Sequence, residues 1–268
     1  MKKEPGTRRQ EPGTLALPGR GAEALARPAR PRPAFYALGR GGWRDYVTLL
    51  HPPYTLWHLS YVALGAALSP TLRYDRLAAT LLAFFLAVGV SAHALDELHG
   101  RPLGTRISRP VLVTLSAGGL AGGVAIGVAG AVLASPWLLA FIAVGAFIAP
   151  AYNLEWFRGR FHSDLWFALA WGAFPFLAAY WASSERMDIS AVFGAAAVFT
   201  LSLAQRGLSS RARTLRRRAR SIEGRILYDD GSADDIDRRW VLAADERALM
   251  FMAMAMVALA AAAVLARV

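Results

Sequence analysis

The chain has 268 residues, 55% of them apolar, with a mean hydropathy of +0.34 and a formal net charge of +11. So high an apolar share sets aside an ordinary soluble domain, and the lack of cysteine excludes a disulfide framework and a thiolate metal site. The positive charge comes without a recognisable nucleic-acid module, so no nucleic-acid partner is expected.

In chain order, residues 1–42 are rich in Pro, Gly and Arg and contain no apolar segment. They read as a disordered, basic, cytoplasmic tail without a signal peptide. Residues 43–268 read as a transmembrane helical domain. Seven apolar runs follow one another there: Tyr54 to Leu68, Leu77 to Leu95, Val111 to Ala134, Trp137 to Tyr152, Leu165 to Ala182, Ile189 to Ala204 and Ala248 to Ala266. None contains Lys, Arg, Asp or Glu, whereas a core helix of a soluble protein keeps one polar side. A spanning helix needs about 20 mostly apolar residues, with roughly 17 as the lower limit; three runs fall just short, and interfacial flanks would complete them. The expected fold is all-α, a polytopic transmembrane bundle of about seven spans.

With the N-terminus inside and seven crossings, 26 of the 30 Lys and Arg residues fall on inner segments. That is the positive-inside bias of a multi-pass protein, here assigned to the inner cell membrane. The same inner face collects His51, the His93-Asp96-Glu97-His99 cluster, Arg101, the Arg158-Arg160-His162-Asp164 group and the region around Arg206, so an active site would open to the cytoplasm. The spans carry no lysine, which sets aside a retinal Schiff-base protein.

The end of the second run holds most of the chemistry. His93, Asp96 and Glu97 stand at i, i+3 and i+4 and share one helix face. Acids at a helix C-terminus oppose the macrodipole and ask for a compensating cation, and carboxylates beside phosphates suit Mg2+. A hydrated helix end with a polar fringe is the plainer alternative. Gly100 to Ser108 is a turn, with Ser108 and Pro110 suited to the N-cap and first turn of the third span. Its arginines would meet a diphosphate or lipid headgroups.

Residues 206–220 carry seven arginines and no acid. Leu208, Ala212, Leu215, Ala219 and Ile222 form one stripe, which predicts a basic helix on the inner membrane surface in preference to a lid over the cavity. Residues 223–246 carry eight acids. Asp230 and Asp234 have metal-motif spacing there, but a solvated loop is the favoured reading. Gly118, Gly119, Gly122, Gly123 and Gly127 predict close helix approach. Trp137, Trp156, Trp166 and Trp181 suit interfacial anchors. Trp171, Phe174, Phe176 and Tyr180 fit either the lining of a cavity or plain packing, His58 is read as a hydrogen-bonded core histidine, and Asp164 suits a helix start.

The segments HPPYTLWHLSYVALGAAL (His51 to Leu68), the acidic helix end with GRPLGTRIS after it, and AYNLEWFRGRFHSDLWFALAWGAFPFLAAYW (Ala151 to Trp181) together resemble the UbiA-type intramembrane prenyltransferases. The resemblance covers about residues 48–205 and implies a UbiA-like helical bundle with a cytoplasm-facing cavity. In that family, two Asp-rich motifs hold Mg2+ and a polyprenyl diphosphate, whose allylic carbon passes to a lipid or aromatic acceptor. The resemblance implies catalytic roles for Asp96, Glu97 and Arg101, with Mg2+ on Asp96 and Glu97. It also implies substrate contacts from His93, His99, Arg158, Arg160, Asp164 and Arg206. The first motif is incomplete here, with Leu95 in the Asn position and His99 three residues after Asp96. Residues 204–211 carry no carboxylate where the second motif belongs; arginine stands there, and it pairs with phosphate directly. A non-catalytic lipid-binding, scaffold or transport protein on the same fold is the alternative.

Overall fold

All seven apolar runs become helices in the computed structural model, which describes residues 32–268. Helix α1 (Trp43–Leu49) is short and leads through His51, at φ 47, into α2 (Pro52–Leu68). The two prolines at the start of α2 lack N–H groups that the first turn would leave unpaired anyway. The second apolar run is one long helix in three parts. α3 (Tyr74–Phe84) passes through a π-helical segment (Phe85–Ala92) into α4 (His93–Leu98). Ser108 and Pro110 open α5 (Arg109–Leu133), and α6 (Leu138–Asn153) follows. After the short turn α7 (Trp156–Gly159), Ser163 accepts a hydrogen bond from the Trp166 N–H and starts α8 (Asp164–Phe167). That helix continues through a second π segment (Ala168–Ala173) into α9 (Phe174–Ser184). Asp188 caps α10 (Ile189–Arg218), and Asp237 caps α11 (Arg238–Leu265); both are side-chain caps of the kind that satisfy orphan N–H groups of the first turn.

Five of these helices are long and apolar enough to cross a membrane: Tyr74–Leu98, Arg109–Leu133, Asp164–Ser184, Ile189–Arg218 and Arg238–Leu265. α2 and α6 have 17 and 16 residues. At 1.5 Å per residue each rises about 25 Å against a hydrocarbon core of about 30 Å. The outward faces are as apolar as the interior: Leu133, Phe193, Phe251 and Leu265 are all more than half exposed. Such surfaces are at home in lipid and costly in water, and over the described residues the chain is a helical membrane protein with one small hairpin.

Lipid tails are as apolar as the helices, so packing geometry holds such a bundle together. α2 runs through its middle between α9 and α11, and Trp57, Tyr61, Phe176 and Tyr180 are fully buried there. The Trp57 indole N–H and the Ser202 hydroxyl both donate to the Tyr61 oxygen. Gly65 lies directly against the Phe176 carbonyl, leaving no room for a Cβ. Of the five glycines expected to pack on α5, four do. A Cβ on Gly119 would come within 2.6 Å of the Leu86 carbonyl, one on Gly122 within 3.1 Å of the Leu86 side chain, one on Gly123 within 3.0 Å of the Ala83 carbonyl, and one on Gly127 within 2.7 Å of Ile142. Gly118 faces open space.

Three expectations are corrected. The arginine-rich stretch is no separate surface helix: α10 runs unbroken from Ile189 to Arg218, because nothing between the apolar run and the arginines breaks a helix. The region after it is not all loop. An antiparallel hairpin pairs β1 (Gly224–Leu227) with β2 (Ala233–Ile236), and α11 begins at Arg238. Residues 32–42, assigned to the tail, pack on the domain: Ala37 is buried and the Leu38 N–H donates to Thr48 Oγ1 at 3.0 Å. The rest of that tail, residues 1–31, lies outside the described residues.

Candidate functional site

A polar cavity of about 120 Å³ opens at the arginine-bearing end of the bundle. His51 and Tyr54 form one wall, His93 and Asp96 of α4 a second, and Tyr152, His162, Phe167 and Trp171 a third. The last wall is a helical stripe of α10 made of Gln205, Arg206, Ser209, Arg213, Arg216 and Arg217. Phe35 and Tyr36 of the N-terminal segment reach the mouth. Tyr36 lies 5.4 Å from the His51 ring and 5.5 Å from the Tyr54 ring.

Four imidazoles are oriented by one device. Nδ1 of His51 meets the Leu49 carbonyl at 2.7 Å, that of His58 the Trp171 carbonyl at 2.8 Å, that of His93 the Gly89 carbonyl at 3.0 Å and that of His162 the Tyr152 carbonyl at 3.1 Å. A carbonyl oxygen only accepts, so each Nδ1 carries the hydrogen and donates to its carbonyl, which fixes the ring's orientation. Gly89 and Trp171 belong to the two π segments; π turns recur at functional positions in helices, and here they present two of the receiving carbonyls. The His51 and His93 rings lie 4.1 Å apart. Burial, and then the His93 ring, hold the His51 imidazole well below its usual range, so it is neutral at pH 7. His58 is both a hydrogen-bonded buried histidine and a cavity residue.

A second, apolar cavity of about 160 Å³ lies deeper among α3, α5, α6 and α9. Alanines, glycines, Phe84, Phe141 and Phe174 line it. Val88 and Trp171 line both cavities and form the partition between them. At the far end of the apolar space, Arg76 donates to the Ala182 carbonyl at 3.0 Å and to Glu185 at 2.6 Å. Trp171 and Phe174 thus line cavities, whereas Phe176 and Tyr180 belong to the packed core.

The residues singled out by sequence separate into two groups. His93, Asp96 and Arg206 converge on the polar cavity. Asp164 joins them indirectly, accepting from Arg206 Nε at 2.9 Å, while the same guanidinium sits 5.2 Å from the Phe167 ring centre. Glu97 does not share the Asp96 site. It is fully buried, and its oxygens accept from the Leu103 N–H at 3.0 Å, the Thr105 N–H at 2.8 Å and the Thr105 hydroxyl at 2.9 Å. Adjacent residues on a helix point about 100° apart, which turns Glu97 to the loop when Asp96 faces the cavity. Arg101 is likewise committed to the loop, donating to the Thr105 and Ile107 carbonyls at 3.0 and 2.9 Å. His99 lies 4.0 Å from Glu155 on a half-exposed surface, and Arg158 and Arg160 are exposed outside the cavity. Asp230 accepts from the Ser232 N–H and Asp234 from the Tyr228 hydroxyl, each at 2.8 Å, so both serve the hairpin.

Sequence reasoning missed Tyr36, Tyr54, Tyr152, Gln205 and the arginines 213, 216 and 217 as cavity residues. A signal existed: positions 205, 206, 209, 212, 213, 216 and 217 keep helical spacing straight out of the sixth apolar run. Two buried atoms on the cavity wall, the Tyr152 hydroxyl and Gln205 Oε1, have no hydrogen-bond partner among the described residues.

The donor set does not fit magnesium. Among the described residues, no three His, Asp or Glu side chains are grouped to hold a metal ion. The cavity's two carboxylates are Asp96 and Glu246, and Glu246 is held bidentately by Arg216. That leaves Asp96 to face a divalent cation beside the guanidiniums of Arg213 and Arg217, which repel it. No model of a known protein family matches this chain, and neither a curated protein nor a solved structure does.

Proposed function

We propose that the chain is a UbiA-like integral membrane prenyltransferase, which takes a polyprenyl diphosphate at the arginine-bearing end of its bundle and transfers the prenyl group to a lipid or aromatic acceptor. The observation that carries this reading is the shared partition. Val88 and Trp171 separate a cation-lined polar cavity from an apolar one, the arrangement an amphiphile with an anionic head and a hydrocarbon tail requires. The sequence resemblance supports the same class. With the N-terminus on the inner side of the cell membrane, the polar cavity opens to the cytoplasm.

In this reading the C–O bond between the allylic carbon and the diphosphate breaks, and the guanidiniums of Arg213 and Arg217 take up the charge of the departing diphosphate. The ring faces of Tyr152 and Trp171 flank the allylic carbon as positive charge develops on it. A new bond forms between that carbon and the acceptor, and the Asp96 carboxylate takes the proton the acceptor loses. No step is assigned to magnesium.

The test is diphosphate release from labelled geranylgeranyl diphosphate by the full chain in liposomes, with a membrane extract supplying acceptors. The Asp96→Ala variant is expected to lose release while remaining folded; undiminished turnover beside an active parent would overturn the assigned role. A non-catalytic lipid-binding protein is the second reading. It is favoured by the single carboxylate free of an ion pair in the cavity and by Phe35 and Tyr36 across its mouth. Binding of the amphiphile without turnover in any extract would select it.

A further inference from the structure

We propose that the polar cavity is a metal-independent phosphate site, in which arginines of α10 bind the phosphate oxygens directly. The proposal rests on the reading above for the prenyl tail and stands on separate observations for the head.

Charge balance comes first. Four guanidiniums line the cavity, at Arg206, Arg213, Arg216 and Arg217. Arg216 is neutralised by Glu246 and Arg206 by Asp164. Arg213 donates only to neutral acceptors, the Ser209 carbonyl at 3.3 Å and the Ser210 hydroxyl at 3.1 Å. Arg217 makes no ion pair among the described residues. One carboxylate, Asp96, remains for two guanidiniums, the half-buried Arg213 and the exposed Arg217, so the cavity holds excess positive charge. An unbalanced charge that is even partly buried, as at Arg213, is costly, and an anion reduces that cost where a second cation adds to it.

Geometry comes second. Residues 206, 213 and 217 lie on one face of a continuous helix, at steps of seven and four. Guanidinium forks match phosphate oxygens in pairs, which an ammonium or a metal–carboxylate bridge does not reproduce. Tyr152, buried on the opposite wall, brings a hydroxyl with no partner among the described residues, and a phosphate oxygen is an acceptor for it. Glu97, the one further carboxylate on α4, is already held by three donors in the loop.

The same chemistry is presented by a prenyl diphosphate, an inorganic diphosphate or an anionic phospholipid head, and the experiment separates them. The full chain in detergent is titrated with farnesyl thiodiphosphate, with inorganic diphosphate and with short-chain phosphatidylglycerol, each with magnesium and with EDTA. The expected result is farnesyl thiodiphosphate binding that changes by less than about twofold when EDTA replaces magnesium, and that weakens about tenfold in Arg213→Ala and in Arg217→Ala, the usual size of a lost charge-assisted pair. Arg217 is exposed, so its variant folds even where the Arg213 variant does not. Binding that appears only with magnesium, or that is unchanged in both variants, overturns the proposal and leaves the prenyl reading intact. Metal-free binding in which the farnesyl chain adds nothing over inorganic diphosphate, or in which phosphatidylglycerol displaces it, upholds the phosphate site and removes the prenyl reading.

Discussion

Arg206 of α10 donates from Nε to Asp164 of α8 at 2.9 Å, with the Arg206 side chain 12% exposed and that of Asp164 66% exposed. The pair ties the start of the arginine stripe to the start of the fifth apolar run, so a residue read as a substrate contact is also a clamp between helices. A pair with one partner largely in solvent, as Asp164 is, contributes about 0–1 kcal/mol. Asp164→Asn is therefore expected to leave the detergent melting temperature nearly unchanged and to strengthen diphosphate binding by freeing Arg206. Weaker binding in that variant, measured by titration calorimetry, would show that Asp164 itself contacts the ligand.

Glu97 and its neighbour Asp96 are predicted to differ in what their loss damages. Removing the Glu97 side chain leaves two N–H groups and a hydroxyl of the loop without their acceptor. The expected cost of Glu97→Ala is about 3 kcal/mol, and Glu97→Gln costs less because one acceptor oxygen remains. Asp96→Ala is expected to unfold at the parent's temperature and to fail in turnover. Thermal unfolding of the three variants in one detergent decides the matter, and equal melting temperatures for Glu97→Ala and Asp96→Ala would contradict it.

His51 makes stability depend on pH. Its imidazole is held below its unfolded value, near 6.5, by burial and by the His93 ring. The unfolded chain therefore binds a proton that the folded chain refuses. The contribution is fully present above that unfolded value and is lost as pH falls from it toward the lower folded one. Denaturation midpoints taken between roughly pH 7.5 and 5.5 are expected to fall on acidification, and the fall is expected to flatten in His51→Gln. An identical slope in the variant would remove His51 as its source.

Two glycine substitutions give opposite signs. Gly65→Ala drives a Cβ into the Phe176 carbonyl, separating α2 from α9, with an expected cost of about 2 kcal/mol or more. Gly118 has no neighbour within 4 Å, so Gly118→Ala gains up to about 1 kcal/mol from helix propensity alone. Both are read from unfolding midpoints. A destabilised Gly118→Ala would place a partner on the outer face of α5.

The seven apolar runs were legible because charge-free stretches of this length admit little besides helices. The helix starts at Ser163, Asp188 and Asp237 carry their own capping chemistry. Asp96, His93 and Arg206 were legible as cavity residues because each ends or extends an apolar run at the same end of the bundle. Other features depend on rotation about a helix axis, which a run of apolar residues does not encode. Both π segments, whose carbonyls receive His58 and His93, carry no Pro or other residue pattern that marks them in the sequence. Nor is the turn of Glu97 toward Thr105 marked there. Asp45 is the plainest example: it is buried, and its two oxygens accept from the Gly41 and Arg106 N–H groups at 2.9 and 2.7 Å. Nothing local in WRDYVTL announces a tie to a loop 61 residues away.

The unbroken length of α10 acts as a depth gauge. Thirty residues rise about 45 Å, and the hydrocarbon core takes about 30 Å of that. With the helix along the bilayer normal, its final ten or so residues stand clear of the lipid tails. Those residues carry Arg213, Arg216 and Arg217, which are thereby set at headgroup height, with Arg206 at the edge of the core, by the same rod that Asp188 caps at its other end. On the proposed function, a lipid-borne head reaches them without leaving the bilayer plane, while its tail stays at the depth where it already lies.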